Sequence, residues 1–268
     1  MSASPLPRRP DPALLETLRA HIRRLEGQIS EDGETAGVWT LGAPEIDDAL
    51  PWGGLPRAAL HEVLGPSGAA SGFCAGLLAR RTDRGENVLW CRRRHGIYGP
   101  GLALFGIEPA RLILVRGRRD IDIFWAMEEG LRSRSLAAVL GEVDSLAPTA
   151  ARRLQLAAET SGVTALLLRP ANETAAATPA VTRWQVSPAP GVPRPGRPGM
   201  GFPRWCVELA RCRSGSAGLP RIHQTSGEAR SWLVEWQDGT TRGFAVAADL
   251  RHRPAESAAQ GVAVRRAV

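Results

Sequence analysis

The sequence predicts an α/β fold: a mostly parallel sheet flanked by helices, with antiparallel C-terminal strands and one N-terminal helix. Three observations lead there. Short apolar runs alternate with helix-spaced runs from residue 37 to residue 170, a Gly-rich turn joins the first long apolar run to a helix, and after residue 170 the pattern changes to period two. Strands alternating with helices imply right-handed crossovers and a parallel sheet covered on both faces. Period-two segments bounded by Gly and Pro read as antiparallel strands and hairpins.

Residues 13–27, "ALLETLRAHIRRLEG", place Leu14, Leu18, Ile22 and Leu25 three or four apart with arginines opposite, which predicts an amphipathic helix ended by Gly27. Its stripe has nothing local to bury against, so it packs on the core or docks on a partner. The polar stretch "QISEDGETAG" after it is a linker, and residues 1–36 form one N-terminal unit.

The runs "AALHEVLG", "NVLWC", "RLILVRG", "LAAVLGEVD" and "VTALLLRP" suit strands buried on both faces. Between them "SGFCAGLLARR", "GPGLALFG", "DIFWAMEEGLR" and "APTAARRLQLAAETSG" carry helical spacing. "TPAVTRWQVSP", "PRWCVELARCRSG" and "ARSWLVEWQDGTTRGFAVAAD" supply the antiparallel strands, so the core spans 37–250. The Pro- and Gly-rich residues 187–203 are expected to be a mobile loop, and residues 251–268 a disordered tail.

At 268 residues the chain can bury a substantial core, and 23% charged residues is ordinary for a soluble globular protein. No apolar run approaches the roughly 18 residues of a membrane span, and "MSASPLPRRPDP" lacks the apolar stretch of a secretory signal. The expected location is the cytoplasm, with no membrane partner. Cys74, Cys91, Cys206 and Cys212 lie in apolar segments without a histidine pair at ligand spacing, which predicts buried free thiols and no metal. Most of the tryptophans Trp184, Trp205, Trp232 and Trp236 are expected to pack on the core.

The net charge is +7, and all 34 Lys+Arg positions are arginine. A GC-rich coding bias accounts for such a composition; the functional alternative is an arginine-rich surface that binds nucleic acid. The run Arg92, Arg93, Arg94 is the candidate phosphate or nucleic-acid clamp, because ligands of open α/β sheets gather at the C-terminal ends of the strands. A solvated loop is the alternative.

The turn "GPSGAASG" at residues 65–72 has the layout of a phosphate-binding loop without its chemistry. A working loop needs a lysine on the β and γ oxygens and a following Ser or Thr on magnesium. With Gly65 as the first glycine, Ser71 takes the lysine position and Gly72 the magnesium position. Arg80 and Arg81 lie more than two helical turns further on and cannot substitute. Gly65, Gly68, Ser71 and Gly72 are therefore candidate nucleotide contacts of weak or absent affinity, and no catalytic residue or cofactor is assigned. No histidine has a pattern suggesting nucleophilic or acid-base catalysis.

The order "LGAPEIDDALPWGGLPRAALHEVLGPSGAASG", continued through "VDSLAP", resembles a RecA-type recombinase core over residues 37–186. Against that pattern Arg94 stands nearest the position of the water-activating glutamate, and Arg169 and Pro170 stand where a glutamine senses the γ-phosphate. Both DNA-binding loops are shortened. Asp144 keeps the second acidic position, with Glu142 two residues before it; an acid there can also cap the next helix. With "TRWQVSPAP", "PRWCVELARCRSG" and "SWLVEWQD", the chain resembles the ImuA family of SOS mutagenesis proteins. The resemblance implies a non-catalytic accessory of DNA-damage-induced translesion synthesis, whose partners are an ImuB-like Y-family protein and an error-prone DnaE-type polymerase, with RecA as a further contact. DNA binding would be weak or indirect. It makes Leu14, Leu18, Ile22 and Leu25 a candidate partner contact. A DNA-dependent ATPase with an atypical phosphate loop and a SulA-like division inhibitor are the alternatives.

Overall fold

The structure is a computed structural model that describes residues 37–82, 85–93, 97–171, 178–193, 199, 201–213, 230–237 and 243–250. The expected N-terminal helix, Arg94 and the expected tail lie outside the described residues. A short hairpin of β1 (Val38–Trp39) and β2 (Leu55–Pro56) brackets the one-turn helix α1 (Pro44–Asp47). The alternating unit follows: β3 (Leu60–Leu64), α2 (Ser67–Thr82), β4 (Asn87–Arg92), α3 (Gly99–Phe105), β5 (Leu112–Arg116), α4 (Asp120–Arg132), β6 (Leu136–Glu142), α5 (Pro148–Ser161) and β7 (Thr164–Arg169). Four longer strands complete it: β8 (Thr182–Ala189), β9 (Arg204–Cys212), β10 (Arg230–Gln237) and β11 (Gly243–Asp249).

Nine strands form one sheet in the order β11, β10, β9, β8, β3, β7, β6, β4, β5. Pairing is parallel from β8 through to β5 and antiparallel from β8 out to β11. Because side chains alternate across a strand, the sheet has two apolar faces. On one, Val63, Trp90, Leu140 and Leu166 meet Phe73, Leu77 and Leu78 of α2. On the other, Leu89, Val139 and Leu167 meet Phe124 and Met127 of α4 and Leu154 of α5. Each fully buried Leu, Val or Phe contributes about 1.5–3 kcal/mol relative to exposure, so covering both faces is what makes the sheet's central strands run apolar without alternation. The expected α/β class, with a parallel sheet between helices and antiparallel strands at one end, is what the chain forms.

The antiparallel wing carries the tryptophans inward. Trp184, Trp205, Trp232 and Trp236 are all buried, as expected. Trp205, Trp236, Phe73, Phe105 and Phe244 form a connected ring cluster with centroids 5.0–6.3 Å apart. Gly76 of α2 lies under it, where a Cβ would meet Phe244 at 2.6 Å.

Four expectations are corrected. Strand β8 is not purely antiparallel: it runs parallel to β3, with His61 opposite Thr182, and antiparallel only to β9. Period two is the same in either direction, so composition could not fix it. The same strand extends into the expected Pro/Gly loop, with Ser187, Pro188 and Ala189 opposite Cys206, Trp205 and Arg204. Pro188 is tolerated because the ladder to β3 ends at Gln185, which leaves that side of β8 without a bond to lose. Strand β5 is not buried on both faces: Ile113 and Leu114 are about half exposed, since β5 is the last strand in the sheet. Finally, all four cysteines are free, but only Cys74 and Cys91 are buried; Cys206 and Cys212 are partly exposed on β9. Among the described residues no helix is long and apolar enough to cross a membrane.

Candidate functional site

A cavity of about 420 Å³ opens at the C-terminal ends of β3, β6 and β7, lined by Gly65, Ser67, Arg93, Glu142, Asp144 and Arg169 among others. This is the end of a parallel sheet where ligands gather, and the sheet order brings the Gly-rich turn and the acidic strand end to the two sides of β7.

The turn itself is short. Helix α2 begins at Ser67, three residues after the end of β3 at Leu64, and the Ala70 N–H already donates to the Pro66 carbonyl at 2.9 Å. None of Gly65, Gly68 and Gly72 has positive φ, so the turn lacks the alternation of right- and left-handed residues that makes an anion nest. Two of these glycines have packing reasons instead. A Cβ on Gly65 would meet the Val186 carbonyl oxygen at 2.1 Å, and one on Gly72 would meet Trp205 at 3.2 Å. Gly68 is exposed, with open space around it. Ser71, at the lysine position, lies within α2.

Glu142 ends β6 as a held group. The Trp90 indole donates to it at 2.7 Å and the Arg92 guanidinium lies 3.3 Å from its other oxygen. Burial pushes its carboxyl above the usual range, only partly offset by Arg92 and the Trp90 bond. Arg93 is bound more tightly: its Nη1 donates to Asp120 at 2.9 Å and to Asp144 at 2.6 Å. Asp120 also accepts from the backbone and hydroxyl of Ser145, at 3.0 and 3.1 Å. Burial works against its charge, but the bonds from Arg93 and the Ser145–Asp144 backbone outweigh it and hold the carboxyl below its usual range. Asp144 does not cap α5: the capping position is Ala147, without a side-chain bond, and Pro148 follows it.

Arg169 ends β7 beside the turn, where its carbonyl accepts from the Gly65 N–H at 3.1 Å. It is buried, with Nη2 3.7 Å from the buried Glu62, which also accepts from Arg183 at 2.8 Å and from the Thr178 hydroxyl at 2.7 Å. Arg169 is thus a cation in an internal ion cluster with Glu62 and Arg183.

The structure thus brings Gly65, Asp144, Arg93 and Glu142 around one cavity, with Gly68, Ser71, Gly72 and Arg92 on the adjoining helix and strand. The stripe Leu14, Leu18, Ile22 and Leu25 lies outside the described residues. Asp120 and Trp90 were missed in the sequence. Asp120 reads there as one more acidic residue at a helix start, and only the placement of β4 between β5 and β6 brings it to Arg93 and Asp144. Among the described residues no group of three His, Cys, Asp or Glu could hold a metal ion.

No family model matches the chain. Protein ImuA of Caulobacter vibrioides, in strains NA1000 and CB 15 alike, is 40% identical over 197 residues, which cover 68% of this chain and 81% of the relative. The chain belongs to the ImuA family. In this ImuA-family protein the cavity is therefore a feature of an ImuA-type chain, and the charges around it are chiefly engaged with one another. Arg92 and Arg93 face Glu142, Asp120 and Asp144 across the ends of β4 and β6.

Proposed function

We propose that the protein is a non-catalytic accessory of DNA-damage-induced, error-prone translesion synthesis. It keeps a nucleotide-binding architecture as a scaffold and acts through contacts with an ImuB-like Y-family protein and an error-prone DnaE-type polymerase, with RecA as a further contact. Family membership supports the role, and the geometry of the turn supports the absence of turnover. The observation that carries it is the closed turn. With α2 starting at Ser67 and the Val186 carbonyl against Gly65, no wrapped loop remains for a triphosphate, and the chain has no lysine to neutralise one. Phosphoryl transfer depends almost wholly on positioning and charge stabilisation, and the cavity's two cations, Arg93 and Arg169, are each committed to a carboxylate.

The candidate contact surfaces are the stripe Leu14, Leu18, Ile22 and Leu25 and the outer strands β9 to β11. Residual binding of nucleotide at Gly65, Gly68, Ser71, Gly72 and Asp144, or of nucleic acid at Arg92, Arg93 and Arg94, would be weak. The expected site of action is the cytoplasm. The test is to measure binding of the purified chain to a purified ImuB-like Y-family protein, with and without ATP and magnesium. The proposal expects the same affinity in both conditions; affinity that appears only with ATP, and is lost in Asp144→Ala, would instead support a nucleotide-driven switch.

A further inference from the structure

Six of the eight large apolar side chains exposed on the described surface come from one stretch: Tyr98, Leu104, Ile113, Leu114, Ile121 and Trp125, between 50% and 78% exposed. They belong to β5 and to the segments on either side of it, with α3 on one face of the sheet and α4 on the other. Among the described strands β5 pairs with β4 alone. The Gly117 N–H donates to the Arg92 carbonyl, so by the two-residue period of a strand the N–H of Leu114 points away from β4, to the outer edge. The edge is apolar and regular: no bulge interrupts its pairing with β4, and it holds no proline. An edge of this kind invites unwanted pairing unless a helix or loop covers it, and exposed apolar side chains flank this one on both faces of the sheet.

The chain also supplies an apolar stripe without a described surface: Leu14, Leu18, Ile22 and Leu25. Its tether reaches. Gly37 accepts a hydrogen bond from the Arg57 N–H, three residues ahead of β3, so the N-terminal segment enters beside the start of β3. From β3 to β5 is four strand spacings, about 19 Å. Residues 28–37 span about 33 Å when extended.

We infer that residues 13–27 fold back within the same molecule as an amphipathic helix and cover the β5 edge, setting the Leu14, Leu18, Ile22 and Leu25 stripe against Leu104 and Leu114, which lie on the α3 side of that edge. This concerns the protein by itself and does not depend on which partner it serves. It adds that the stripe must leave the edge before a partner can take it.

Hydrogen exchange on the full chain tests this at two protein concentrations, with the mass measured by light scattering at each. Leu18→Glu with Ile22→Glu should speed exchange at the Leu114 amide by about tenfold or more. Leu114→Glu, at a side chain already half exposed, should in turn speed exchange across residues 13–27. Both effects should be independent of concentration in a monomer. Unchanged exchange at Leu114 in the double variant would overturn the inference. So would protection that grows with concentration alongside a doubled mass, which would place the stripe on a second copy.

Discussion

Arg93 shows at the scale of single residues why a basic run need not be a phosphate clamp. One of its nitrogens bridges Asp120 and Asp144, and both carboxylates lie where a ligand's phosphate would have to compete. Asp120→Asn should lower stability at pH 7 by about 1.5–3 kcal/mol, the range for a hydrogen bond to a charged group. Because the Asp120 pKa is held down in the fold, its contribution is full above the unfolded value near 3.9 and is lost as pH falls through the folded one. Denaturation of both proteins from pH 7 to pH 3 should therefore show the difference shrinking below about pH 4. His61 reports in a higher range. It is buried on β3, donating from Nε2 to the Pro56 carbonyl and accepting at Nδ1 from the Thr182 hydroxyl, which in turn accepts from the Trp184 indole. Burial lowers its pKa to about 4 from 6.5. Unfolding takes up a proton between those values, so stability is full above about pH 6.5 and declines toward pH 4. The loss is on the order of 3 kcal/mol, and His61→Gln should flatten that slope in pH-dependent chemical denaturation.

Single elements differ in how much of them the sequence discloses. The five central runs and their helices were legible because apolar runs flanked by turn residues leave few alternatives, and because α3 and α5 end on the left-handed glycines Gly106 and Gly162. The direction of β8 was not legible, since Thr182, Trp184 and Val186 face inward whichever way the strand pairs. Nor was the exposure of β5, which depends on its rank in the sheet and not on its composition. The Gly-rich turn was half legible. That it lacked lysine and a magnesium hydroxyl could be read directly. That Gly65 and Gly72 serve close packing against Val186 and Trp205 depends on β8 and β9, more than a hundred residues further along the chain. The Asp120–Arg93–Asp144 bridge was hidden for the same reason.

For the molecule as a whole, one parallel sheet holds together three parts with different constraints. The aromatic cluster of the antiparallel wing anchors α2 from one side, α4 and α5 close the other face, and the cavity opens at the C-terminal ends of β3, β6 and β7. A working nucleotide site would need that cavity to offer uncommitted positive charge and a turn open enough to wrap a phosphate. Here the turn passes straight into helix, and the neighbouring arginines face Glu62, Glu142, Asp120 and Asp144. The proposal that the chain acts by presenting surfaces rests on these two features. The most direct measurement is turnover of labelled ATP by the purified protein, with and without magnesium and single-stranded DNA, beside Asp144→Ala. The account predicts no hydrolysis above background in any condition. DNA-stimulated hydrolysis that disappears in Asp144→Ala would contradict it.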